Sequence, residues 1–234
     1  MHYIAIVLVI LAGASLAQPI EDLIEGDMIL STKQKQMLYS KLDSRNVVSN
    51  PSLRWPNAVI YYQFSPSISS SQRSLIINSL RDIERSTCVR FRPGSNGNRY
   101  ISITNNAAGC FSYVPSTIEF GNGCMYKGTI IHEFLHALGF YHQQSSADRD
   151  NFVNIHWENV KPGQEHNFNK YSSPQVTNFG IRYDYGSIMH YGPYSFSKNR
   201  KPTITATQTG GEAMGQRNGL SQSDILKINK MYNC

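Results

Sequence analysis

Charged side chains are scarce in this chain of 234 residues: Asp, Glu, Lys and Arg together make up 16% of it. That excludes a disordered polyampholyte and a charge-laced coiled coil. The net charge is +6, yet no long run of clustered Lys and Arg accompanies it, as the basic stripe of a nucleic-acid binder would require. There is no internal repeat. There is also no usable N-glycosylation acceptor, because Asn50-Pro51-Ser52 is blocked by its middle proline. Only one long apolar run occurs, IAIVLVILA at residues 4–12, and it falls short of the ~20 residues that span a bilayer. Cysteine is limited to Cys88, Cys110, Cys124 and Cys234; four cysteines allow three pairings, and spacing does not choose among them. What is present is 40% hydrophobic residues with 14 Tyr, 10 Phe and 17 Gly, the composition of a turn-rich globule of one large domain or two small ones.

The short apolar run is followed by Ser15-Leu16-Ala17, with small residues at the positions that direct cleavage. Residues 1–17 therefore read as a secretory signal peptide cut after Ala17. An exported product places the cysteines in an oxidising compartment, where two disulfides are expected. Residues 18–45 are polar and cysteine-free and read as a removable pro-segment ahead of a domain at 46–234. Within that domain AVIYYQF at residues 58–64 is β-branched and aromatic, a strand pattern. Ile76, Leu80 and Ile83 repeat at helical spacing within 69–85, which predicts an amphipathic helix packed on the sheet. Short strands are expected around 89–91, 100–104 and 117–120. After Tyr141 periodicity fades until Ser221 and Asp224 open a last helix.

The chemistry is concentrated in TIIHEFLHALGFYH, residues 129–142. His132 and His136 are four apart in a helical run, and four residues turn a helix by about 400°, so both imidazoles project from one face. Glu133 lies beside them, placed to act on a metal-bound water without ligating the metal. Gly139 permits the left-handed conformation that ends a helix and turns the chain, letting His142 approach from another side. Three imidazoles with one open position make a catalytic zinc arrangement; structural zinc sites are closed by four protein ligands, usually thiolates. Ligand type alone leaves copper and iron open, and the extended motif favours zinc. His156 and His166 sit in polar stretches and are assigned local roles.

The string from His132 to His142, together with Ser187-Ile188-Met189-His190-Tyr191, resembles the astacin family of metzincin zinc metalloendopeptidases. The likeness runs from about residue 46 to Cys234 and takes in Trp55-Pro56-Asn57, Asp148-Arg149-Asp150 and Ser195-Phe196-Ser197. It implies an α+β fold: a two-lobed, metzincin-like catalytic domain with an N-terminal mixed sheet, two long helices, and a largely irregular C-terminal lobe ending in a helix. One Zn2+ would be held by His132, His136 and His142. Glu133 would be the general base, Met189 a hydrophobic floor under the histidines, and Tyr191 an additional ligand that swings away to stabilise the oxyanion. His190 between them is given a structural role. The resemblance also pairs Cys88 with Cys234 and Cys110 with Cys124. Further modules that many family members append after the catalytic domain are not expected.

Ile24-Glu25-Gly26-Asp27 resembles the family's latency motif with Ile in place of Phe, which implies that Asp27 ligates zinc in the precursor. A trypsin-like activator would cut between Arg45 and Asn46. Two positions depart from the family pattern, Gln143 where an acid is usual and Ser146 where an arginine is usual. In the family that acid meets the new N-terminal ammonium, and a neutral amide forfeits the charge-assisted part of the contact. The function expected is peptide-bond hydrolysis in extracellular proteins by a secreted monomer with no nucleic-acid partner and no membrane anchor. The competing reading, a non-catalytic binding protein on a protease scaffold, is opposed by the joint presence of Glu133, the three histidines and Tyr191.

Overall fold

The computed structural model describes residues 23–39, 54–97, 99–172 and 177–234. The expected signal peptide and the expected Arg45–Asn46 cut lie outside the described residues. Among the described residues no helix is long and apolar enough to cross a membrane.

Strand β1 (Met28–Leu30) and helix α1 (Thr32–Tyr39) lie ahead of residue 46, in the stretch read from the sequence as a pro-segment. Strands β2 (Val59–Phe64), β3 (Arg90–Pro93), β4 (Ile101–Thr104), β5 (Cys110–Val114) and β6 (Thr117–Phe120) complete a six-stranded mixed sheet in the order β1-β5-β6-β4-β2-β3. Only β5 and β6 run antiparallel. Two of these strands escape the sequence pattern. In β1 three residues carry too little alternation to register, and β5 follows a glycine turn with no clean apolar period. Each is defined by its partner: Met28 stands opposite Ser112, and Cys110 opposite Phe120.

Helix α2 (Ser70–Ser86) starts at a capping box in which Ser69 and Gln72 satisfy each other's backbone N–H. It buries Ile76, Leu80 and Ile83, the stripe its sequence announces. Helix α3 (Lys127–Leu138) is different, with every residue from Ile130 to Leu138 buried; a helix apolar on all sides belongs inside a core. Gly139 ends it at φ 107°, ψ 17°, a conformation open to glycine at little cost. Gly128 near its start is needed for another reason: a Cβ there would fall 1.9 Å from the Arg217 carbonyl oxygen.

The second half of the chain has little regular structure. Strands β7 (Val153–Ile155) and β8 (Ile204–Ala206) form an antiparallel pair, and short 3-10 turns lead to helix α4 (Gln222–Tyr232), capped by Ser221 and Asp224. The main core joins the sheet, α2, α3 and Ile228 of α4; a separate cluster gathers Val153, Val160, Phe168, Tyr183, Tyr185, Tyr191 and Ile204. Disulfides link Cys88 to Cys234 and Cys110 to Cys124, the pairing the resemblance implies. The α+β reading, with a mixed sheet first and an irregular half ending in a helix, agrees with this architecture.

Candidate metal centre

Three imidazoles converge at the foot of α3. His132 and His136 are carried on one face of the helix, and His142 returns to them after the Gly139 turn; all three are buried. His132 Nδ1 lies 2.8 Å from the Ile188 carbonyl oxygen, and His136 Nδ1 lies 2.7 Å from that of Phe140. A carbonyl only accepts, so each Nδ1 carries the proton and each Nε2 offers a lone pair inward. His142 Nδ1 lies 3.0 Å from a Glu25 carboxylate oxygen, which fixes the same tautomer. The backbone seats the third ring as well: Gln143 N–H donates to the Met189 carbonyl at 2.9 Å, tying the segment after His142 to the turn whose Ile188 carbonyl holds His132.

Asp27 closes the group. Its carboxylate oxygens stand 3.1 Å from His132 Nε2, 3.2 Å from His136 Nε2 and 3.2 Å from His142 Nε2, and the four candidate ligand atoms all lie within 4.8 Å of one another. Bonds of ~2.0–2.1 Å in a tetrahedron separate ligand atoms by about 3.3 Å, so the set fits zinc. The donors also call for a cation. His136 Nε2 and Asp27 Oδ1 are buried with no hydrogen-bond partner among the described residues, a costly state unless something lies between them. Burial opposes charge on His142, but Asp27 and Glu25 more than offset it and push the imidazole up to about 9, a pull towards positive charge at this position that a cation held by the Nε2 lone pair would answer in place of the proton. Burial also works against the Asp27 carboxylate, and His142 and His136 outweigh it, holding the group well below the usual range. His132 responds chiefly to burial and drops to about 3.

Glu133 points to the same space. Its Oε2 accepts from Ser112 Oγ at 2.8 Å, and burial, reinforced by the charge of Asp27, raises its pKa well above the ordinary value. Tyr191 is buried, and its phenol donates to the Glu25 carbonyl oxygen; burial and the Asp27 charge keep that phenol protonated. Met189 is buried in the main core, in the turn between the two histidine supports. His190 accepts from the Tyr183 hydroxyl at Nε2, 2.7 Å away, and donates from Nδ1 to the Tyr191 carbonyl at 2.7 Å. His156 is bonded to Thr205 Oγ1 at 2.8 Å. Gln143 receives the buried Lys227 ammonium, and Ser146 donates to Asp148.

Three groups at the site are given no role by the sequence: Ser112 and Arg217 belong to no motif, and Glu25 fills the unspecified position of the latency motif. Ser112, on β5, donates its N–H to the Asp27 carbonyl at 2.8 Å and its hydroxyl to Glu133. Arg217 donates to the His190 carbonyl at 3.2 Å, and its charge is felt by Glu133, Asp27 and Tyr191. Glu25 holds His142. A lone Ser or Arg in a polar stretch has no spacing rule that singles it out, and the variable position of a motif carries none either; pairing of β1 with β5 and the close contact at Gly128 bring them here.

Comparison with known proteins gives one consistent picture. The family model described as Astacin (Peptidase family M12A) matches residues 47–233. Zinc metalloproteinase nas-13 of Caenorhabditis elegans is 45% identical over 196 residues, covering 81% of this chain and 43% of that protein. Zinc metalloproteinase nas-4 of the same organism is 40% identical, covering 90% and 69%. Blastula protease 10 of Paracentrotus lividus is 42% identical over 231 residues, covering 90% and 38%. The chain thus spans about two fifths of the length of nas-13 and Blastula protease 10. Among solved structures, high choriolytic enzyme 1, a hatching-enzyme zinc-protease from Oryzias latipes, superposes with a TM-score of 0.72 at 38% identity, covering 79% of this chain and 96% of that one.

Proposed function

The chain belongs to the astacin family, peptidase family M12A, and from that membership we propose that it is a zinc-dependent endopeptidase made as a latent, exported precursor. The single observation that carries the reading is the convergence of three Nε2 atoms with a pro-segment carboxylate at the remaining position. His132, His136 and His142 hold the metal, and Asp27 joins them until the pro-segment leaves. Zinc, when bound, supplies a Lewis acid that polarises the scissile carbonyl and lowers the pKa of a water towards ~7.

The chain's own residues do the rest. Glu133 takes the proton of the attacking water and hands it to the leaving amine. Asp27 contributes to the raised pKa of Glu133, so its departure removes one of the influences that keep this base protonated. Tyr191, freed from the Glu25 carbonyl, donates to the developing oxyanion. Arg217 supplies positive charge to the same space and, with a net charge of +6, favours substrates with an acidic residue beside the cut. The boundaries proposed are a signal peptide at 1–17, a pro-segment at 18–45 opened by a trypsin-like protease after Arg45, and a monomeric enzyme acting on extracellular proteins.

One experiment tests latency and mechanism together. In the full chain made uncleavable by Arg45→Ala, Asp27→Ala is expected to release measurable cleavage of small peptides. Adding Glu133→Ala should lower it by about 10²–10⁴-fold while metal analysis still finds one zinc per chain. Undiminished turnover without Glu133 would sink the mechanism, and a silent Asp27→Ala chain would reject the carboxylate switch.

A further inference from the structure

The three histidines differ in what holds them from behind. His132 and His136 are anchored by carbonyls of Ile188 and Phe140, which stay with the domain when the pro-segment goes. His142 is anchored by Glu25, which does not stay. One oxygen of that carboxylate accepts both the Nδ1–H of His142 at 3.0 Å and its backbone N–H at 2.9 Å. Glu25 is 1% exposed and sits at φ 54°, a left-handed conformation that is strained for a non-glycine residue. Its own carbonyl is taken by the Tyr191 phenol, and Gly26 beside it stands where a Cβ would fall 2.5 Å from the Phe196 ring. The backbone is therefore forced into a conformation that delivers this one carboxylate to this one imidazole. Blocking the metal needs only Asp27, so a second buried carboxylate calls for its own explanation.

We propose that Glu25 is a positioning residue for the metal: it orients His142 and fixes its tautomer, so that the precursor holds zinc more tightly than the ligands alone would. The pro-segment is then a metal-retention device as well as a plug. A histidine that ligates a metal commonly donates its other N–H to a carboxylate or carbonyl, and loss of that partner typically weakens metal binding 10–100-fold. Removal of residues 18–45 strips the partner from one of three ligands and leaves the other two supported. The idea rests on the zinc reading above and concerns affinity rather than turnover.

The test uses the full chain carrying Arg45→Ala, stripped of metal and titrated with zinc against a chromophoric chelator. Glu25→Ala is expected to weaken zinc by 10–100-fold. Glu25→Gln should recover most of that, because an amide oxygen accepts the same two N–H groups. Glu25→Asp, one methylene shorter, should bind as poorly as Glu25→Ala despite keeping the charge. Gln34 caps the pro-segment helix through Ser31 and does not touch His142; Gln34→Ala should leave zinc affinity unchanged. Loading with cobalt gives a second readout, in which the visible bands shift for Glu25→Ala and Glu25→Asp and stay in place for Glu25→Gln and Gln34→Ala. Should Glu25→Ala fail to fold by near-ultraviolet dichroism, the Asp and Gln variants carry the comparison. Parent-like zinc affinity in a folded Glu25→Ala or Glu25→Asp chain overturns the proposal, and so does an equal loss in Gln34→Ala. His136→Ala separates the two levels: if it binds zinc like the parent, the zinc site itself is wrong, whatever Glu25 does.

Discussion

The half of the molecule that carries β2 to β6, α2 and α3 and the half that follows His142 build one site by different means. In the first, ladders and helices fix the backbone, and His132, Glu133 and His136 inherit their directions from the pitch of α3. In the second, the β7–β8 pair is the regular sheet among the described residues, and polar side chains take over the work of a ladder. Asp224 accepts from Ser187 Oγ at 2.6 Å and from Ile188 N–H at 2.9 Å, shaping the turn under the histidines from the first turn of α4. Buried Arg149 donates to the carbonyls of Gln144 and Phe168, and Thr203 Oγ1 donates to that of Ser195 at 2.7 Å. Irregular backbone is thus no sign of looseness. A buried N–H or C=O needs a partner whether or not a strand lies alongside, and here side chains supply it.

If the halves are separately built, the bond that joins them should matter most. Cys88–Cys234 closes 146 residues and ties the end of α2 to the end of α4, whereas Cys110–Cys124 closes 14 within one half. By chain entropy the first is worth about 5 kcal/mol and the second about 3 kcal/mol. Denaturant unfolding of Cys88→Ser/Cys234→Ser against Cys110→Ser/Cys124→Ser is expected to show the larger loss for the first pair; the reverse order would mean that the irregular half needs no tether.

The next test keeps the fold and asks what the irregular half contributes to rate. Tyr191→Phe in the processed enzyme is expected to retain zinc and leave KM near the parent value while kcat falls ~10²–10³-fold, the usual cost of one oxyanion donor. A change confined to KM would assign the phenol to substrate binding or packing.

The smallest effect is one of pH. Burial holds His190 down to about 4, against an ordinary 6.5, so the folded protein keeps this imidazole neutral where the unfolded chain already binds a proton. Stability is therefore lost as pH falls from about 6.5 towards about 4, by up to about 3 kcal/mol at ~1.4 kcal/mol per unit. His190→Gln removes this contribution, and the difference between parent and variant in thermal unfolding across that window measures it. Parallel curves would show that the Tyr183–His190 contact tolerates protonation.

Much of the site is legible in the residues because its first part is local. Two histidines four apart and a glutamate beside them need only a helix, and α3 is announced by its own apolar run. The Gly139 turn is equally local, since few residues other than glycine accept φ near +107°. The α2 stripe and the Ser221–Asp224 cap follow from spacing for the same reason; the Ser69–Gln72 box at the start of α2 is not singled out there.

What tertiary structure decided lies wherever the partner is distant in sequence. Four cysteines leave three pairings open until Cys88 and Cys234 are brought within bonding distance. Strand β1 exists because β5 offers it an edge, and that pairing carries Asp27 to the histidines and Ser112 to Glu133. Arg217 reaches the site because Gly128 lets its backbone touch α3, and Glu25 reaches His142 across 117 residues of chain. Apart from Asp27, which its motif announces, such contacts leave no signal of their own, since each depends on how two remote segments meet and on which buried groups still lack a partner once they do.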